Sequence, residues 1–275
     1  FEAMTAHTRE LEEGVYQEIL GHIQQDDDSV PYQRRGYWYQ SRYRSGKEHP
    51  VYVRWKDSQE AQVFLDVNIL AEGHGFYQVG AVAIHPNTRW MAWAEDSTGR
   101  RQHVIRFRDL ETGQDFPDQI SGCSASMVWA DDNSLYYVEN DPETLRARWI
   151  KRHILGTDVS QDAVVFEEAD AEFYTGVSRS ADDAFLIIHS QSTITSETLF
   201  SPAAGPPDFR TIAPRERGIE YQADSIEGQW ILRTNWNAVD FCLMETEKPG
   251  DRQNWKPLLM PGEGVFIGSF LLLKK

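Results

Sequence analysis

Two serines stand in settings close to a nucleophile elbow. Gly122-Cys123-Ser124-Ala125-Ser126 and Gly176-Val177-Ser178-Arg179-Ser180 both begin as Gly-x-Ser-x. An acyl-transfer serine of this type needs a second glycine two residues on, because the strand-to-helix turn that presents it is tight. Ser126 and Ser180 occupy that position, and a polar turn and another strand-like run follow each stretch. Both serines therefore read as strand and loop residues, and no catalytic residue is assigned. The eight histidines show no His-Glu-x-x-His or paired Cys/His spacing, so neither a metal nor a cofactor is expected. Cys123 and Cys242 form no metal motif and no disulfide framework, which fits a reducing, cytoplasmic setting.

Acidic residues are plentiful, and position separates them. Asp131-Asp132 and Asp182-Asp183 occupy equivalent turns, where Asp side chains cap backbone amides. Glu139, Asp141, Glu143 and Glu172 fall at strand ends, near Arg146, Arg148, Arg215 and Arg217. Glu139, Arg146, Glu172 and Tyr174 are the candidates for facing a substrate or a hinge. Solvated loop charge is the plainer reading of the same acids. The net charge of −16 and pI of 4.9 argue against nucleic acid and anionic membrane as partners, and suit a basic ligand. No apolar run approaches the roughly 18 residues of a membrane span, and no signal peptide opens the chain.

The elements that would carry these residues are mostly strands. Leu11, Val15, Ile19 and Ile23 recur at helical spacing and predict a helix over 5–24, ended by the Asp26–Pro31 stretch. From Tyr32 on, one phrase returns about every 45 residues: an apolar run, a polar turn, and a second run opened by a large residue. Trp90, Leu135, Phe185 and Trp230 open the second run in successive copies, with Tyr37 before them and Phe270 after. This period with strand chemistry predicts an all-β fold, a β-propeller with one four-stranded blade per repeat. The four opening residues are expected at equivalent, mostly buried positions between blades. Residues 1–30 read as a helical segment and 31–275 as a partial propeller. The last copy, at Phe266–Leu273, is expected to be a strand on an incomplete blade, as in a fragment.

Several phrases then fall in an order that resembles the oligopeptidase B branch of the prolyl oligopeptidase family of serine peptidases. They include Ser29-Val30-Pro31-Tyr32 with Gly36-Tyr37-Trp38-Tyr39, Leu65-Asp66-Val67-Asn68 with Ala71-Glu72-Gly73-His74, and Asp109-Leu110-Glu111-Thr112-Gly113. Asp141-Pro142-Glu143-Thr144-Leu145-Arg146 and Ala213-Pro214-Arg215-Glu216-Arg217-Gly218 continue the series. The resemblance spans essentially the whole chain. It implies an α/β-hydrolase peptidase capped by a seven-bladed propeller, of which this chain holds the helical segment and about five blades. The Ser/Asp/His triad would lie in a hydrolase domain following Lys275, on which the N-terminal helix would dock. The implied activity is cleavage of short basic peptides after Arg or Lys, with the propeller as a size filter and lid. The alternative is a stand-alone propeller that serves as a protein-interaction scaffold.

Overall fold

A computed structural model describes residues 2–262 and 264–273. Among the described residues, nineteen strands form four antiparallel sheets. They fall into two compact units, residues 1–74 and 75–275.

In the first unit, the predicted helix over 5–24 is in two pieces. α1 (Glu2–Thr5) and a 3-10 turn (Ala6–Thr8) lead into α2 (Arg9–His22). The apolar stripe is real but unburied: Leu11, Val15, Ile19 and Ile23 are between 45% and 69% exposed. A four-stranded meander follows, β1 (Tyr32–Arg34), β2 (Tyr37–Arg42), β3 (Val51–Trp55) and β4 (Gln62–Asp66). Arg35 and Gly36 both take positive φ, so they close a two-residue hairpin whose twist matches its strands. Tyr39, Val53 and Leu65 are buried in this sheet, and Tyr39 stacks on Tyr32 and meets Phe64 edge-on.

In the second unit, β5 (Gln78–Ile84), β6 (Trp90–Asp96) and β7 (His103–Asp109) pair in sequence with the first half of β8 (Asp115–Trp129). β8 then changes partner. Cys123 faces His103 on one side and Glu139 on the other, and beyond it Met127 and Trp129 pair with β9 (Ser134–Asn140). The outer strand of one blade thus runs on as the inner strand of the next. β10 (Ala147–Ile154) and β11 (Ala163–Glu167) complete a seven-stranded sheet. Two separate four-stranded blades follow. β12 (Tyr174–Arg179), β13 (Phe185–Gln191), β14 (Ser196–Pro202) and β15 (Arg210–Thr211) make one. β16 (Tyr221–Ile226), β17 (Gln229–Thr234), β18 (Cys242–Thr246) and β19 (Lys256–Leu259) make the other.

The predicted period therefore corresponds to five four-stranded blades, two of them joined through β8. The fifth is complete rather than cut short, and 266–273 carries no strand. Phe266 instead packs edge-on to Phe241, and the Ile267 amide donates to the Asp240 carbonyl. Trp90, Leu135, Phe185 and Trp230 do open the second strands of their blades. Leu135 and Trp230 are buried, but Trp90 and Phe185 are only half-buried. Phe185 covers Trp230 of the next blade at 5.2 Å, and Trp90 leans on His85 at 5.1 Å. The paired aspartates are turn residues as expected: Asp132 and Asp182 accept from the amides of Ser134 and Ala184. Blades are sewn together by single polar side chains. Ser126 Oγ accepts from the Val177 amide at 2.9 Å, and Arg179 donates to the Trp129 carbonyl at 2.7 Å.

Candidate functional site

The loops of the second unit that interlock at one end of its strands tie Arg146 to the segment that carries Glu172 and leads into Tyr174. In the β9–β10 loop, Asp141 accepts from the amides of Thr144 and Glu143 and from Arg148 at 2.8 Å. The Thr144 amide, then Arg148, hold its carboxyl well below the usual carboxylate range. Arg146 leaves this loop and grips the next one, donating to the carbonyls of Glu168, Asp170 and Phe173 at 2.8–3.0 Å. A guanidinium that donates to three carbonyls of one loop positions that loop. Glu139 is on β9, paired with Lys151 at 2.8 Å. Glu172 is exposed, and its amide donates to Asp170. Tyr174 opens β12 and is 62% exposed.

The hub of this end is Glu168, buried to 4% at its side chain. Arg215 donates to it at 2.6 Å and also reaches Glu197 at 3.2 Å. Ser190 Oγ donates to the same carboxylate in a short bond, and the Asp170 amide caps its other oxygen at 3.0 Å. Burial raises the Glu168 pKa, but Arg215, Ser190 and the amide outweigh it and hold the carboxyl below its ordinary value. Arg215 lies 3.7 Å over the Phe173 ring. The two loops flanking the fourth blade, and that blade itself, therefore converge on one charge pair. The sequence named Arg215 as a possible partner for an acid but not Glu168, since nothing in the Glu167-Glu168 pair marks which one turns inward.

Two clefts open beside this hub. The smaller, about 380 Å³, is lined by Glu139, Asp141, Leu145 and Trp149. The larger, about 470 Å³, lies between the fourth and fifth blades, with Tyr174, Gln191, Glu197, Glu220, Gln222 and Arg233 on its walls. The structure thus places Glu139 and Tyr174 on different clefts. Glu220 and Arg233 were not singled out in the sequence, since one is a charge just before β16 and the other a single charge within β17.

The serines carry no nucleophile. Ser178 Oγ does meet His189 Nε2 at 2.7 Å, a contact that spacing alone does not show. Burial pushes the His189 pKa down to about 4. Among the described residues no carboxylate is hydrogen-bonded to that imidazole, and Ser178 sits within β12 rather than on a strand-to-helix turn. Ser124 Oγ accepts from the Ser126 amide within β8. Among the described residues no cluster of three His, Cys, Asp or Glu side chains is arranged to hold a metal, and no helix is long and apolar enough to cross a membrane.

Comparison with known proteins gives one answer. The family described as prolyl oligopeptidase, N-terminal β-propeller domain, matches residues 1–275. Dipeptidyl aminopeptidase BI of Pseudoxanthomonas mexicana is 42% identical over 98% of the chain, which spans 40% of that protein. Oligopeptidase B from Leishmania major superposes with a TM-score of 0.89 at 30% identity, over 98% of this chain and 39% of that one. Oligopeptidase B from Trypanosoma brucei, in a closed form with covalently bound antipain, gives 0.87 at 28% identity, again covering 98% and 39%.

Proposed function

The chain belongs to the prolyl oligopeptidase family as its N-terminal β-propeller, and from that membership we propose that the full-length polypeptide is a serine peptidase that cleaves short peptides after Arg or Lys. The observation that carries this reading is the likeness to oligopeptidase B over 98% of the chain. The chain spans about two-fifths of its relatives, and the Ser/Asp/His triad belongs to the remaining, hydrolase part. The propeller acts as lid and size filter. It admits short flexible chains and excludes folded proteins, and its closure onto the hydrolase domain completes the site. A closed form with covalently bound antipain in one relative supports such a motion. Tyr174 and Glu172, both exposed at the interlocked end, face substrate or the hydrolase domain. Arg146 and Glu139 act through the loops and strands they hold. The charge of −16 draws basic peptides in, and the buried thiols of Cys123 and Cys242 suit a cytoplasmic setting.

A second reading, favoured by the 42% identical relative's name, is removal of dipeptides from a free N-terminus. One peptide panel separates the two in the full-length polypeptide. Blocked peptides with Arg or Lys before the scissile bond should be cut at least about tenfold better than those with Leu, and peptides well before any folded protein. Requirement for a free N-terminus with release of dipeptides replaces the first reading with the second. No hydrolysis at all leaves the interaction-scaffold alternative.

A further inference from the structure

The larger cleft holds one cation and one anion that, among the described residues, close no salt bridge. Arg233 stands on β17 opposite Gln222. Its guanidinium stacks on Phe241 at 3.6 Å, lies 5.4 Å from Phe266, and donates through Nε to the Ile267 carbonyl at 2.5 Å. Among the described residues it closes no salt bridge. Burial holds it below the usual arginine range, and the Glu220 charge acts against that shift. Glu220 commits its backbone to Asn235 and Thr234, at 2.8 Å each. Its carboxylate has no hydrogen-bond or salt-bridge partner among the described residues, yet it too lines the cleft. Glu197 on the same wall is different: Thr211 and Arg215 already occupy it, at 3.2 Å each.

A guanidinium resting over the Phe241 ring, part-buried and with no salt bridge among the described residues, is preorganised for a carboxylate. A free carboxylate beside it selects a ligand that carries a positive group next to its negative one. A peptide ending in Arg or Lys with a free α-carboxylate has both, and a cleft of about 470 Å³ is in the range that takes a few residues. We propose that this cleft binds peptides with a C-terminal Arg or Lys, the α-carboxylate on Arg233 and the basic side chain at Glu220. This rests on the peptidase reading in one respect: hydrolysis after Arg or Lys releases acyl-side products of this class. The cleft is then a product site on the propeller, which makes its own products a feedback ligand.

The test is calorimetric titration of the full-length polypeptide, its catalytic serine blocked by a fluorophosphonate, with the tripeptide Gly-Phe-Arg. Controls are the same peptide as its C-terminal amide, and Gly-Phe-Leu. The free acid should bind at least about tenfold more tightly than either control, the order of one charge-assisted contact. Arg233→Met should abolish the preference for acid over amide, and Glu220→Gln the preference for Arg over Leu. Arg233→Lys, which keeps the charge and the stem, should retain part of the first preference, and melting curves show whether each variant is folded. Equal binding of acid and amide overturns the proposal. So do variants that lower turnover on ordinary substrates while leaving both preferences intact, which would make Arg233 a domain latch. Absence of Arg/Lys cleavage in the unblocked enzyme would refute the peptidase specificity alone, because binding is read independently of turnover.

Discussion

Ser178 and His189 lie at hydrogen-bonding distance, and their surroundings decide what that contact means. The imidazole is kept neutral by burial, and among the described residues no acid is hydrogen-bonded to orient it. Ser178→Ala and Ser124→Ala should each leave peptide turnover of the full-length polypeptide within about twofold of the parent, measured as kcat/KM. The same burial has a pH consequence. The folded pKa of His189, about 4, lies below the ordinary 6.5, so protons bind the unfolded chain first as pH falls. Stability from this residue is complete above pH 6.5 and is lost between there and pH 4. His189→Gln should flatten denaturant-derived stability across that window. Glu168 behaves as a depressed carboxylate: its contribution is present above its ordinary value of 4.5 and lost as pH falls through the folded one. Arg215→Met, which leaves Glu168 buried and unpaired, should cost about 3 kcal/mol at neutral pH by urea denaturation. The difference from the parent should shrink as Glu168 is protonated.

At the scale of elements, strand openings were legible because a turn aspartate and a large apolar residue recur together. Asp132 before Leu135, and Asp182 before Phe185, are examples. The depth of those residues was not legible. Trp90 and Phe185 have the same pattern as Leu135 and Trp230, yet depth depends on what the adjacent blade supplies. Trp230→Ala should cost about 3–5 kcal/mol, and Trp90→Ala measurably less, in the same denaturation assay. The strand expected at 266–273 failed for a related reason. An apolar run makes a strand only where a ladder edge receives it, and here only Phe266 finds partners, in Phe241 and Arg233, while Leu271 and Leu273 stay exposed. The candidate site was legible only as strand-end loops, since partners such as Arg146 and the Glu168 carbonyl are 22 residues apart. Arg146→Met should speed amide hydrogen exchange in residues 168–173 while leaving β9 protected.

For the whole molecule, composition and repeat already pointed to an acidic all-β chain, while the proposed peptidase chemistry belongs to the part of the relatives that this chain does not span. The proposed lid role predicts that kcat/KM for basic peptides falls with rising salt, and does so less for neutral ones, as the field of a −16 domain is screened. The exposed stripe of α2 fits the docking proposed for it. Ile19→Asp in the full-length polypeptide should reduce turnover and leave the propeller's own unfolding transition in place. The shared strand β8 bears on how such a repeat is inherited. Blades linked by loops can be duplicated, lost or exchanged as separate cassettes. The second and third cannot, since a cut at their seam would sever a strand that each needs to close its sheet. Gene rearrangement among relatives should therefore spare that junction and move the pair together.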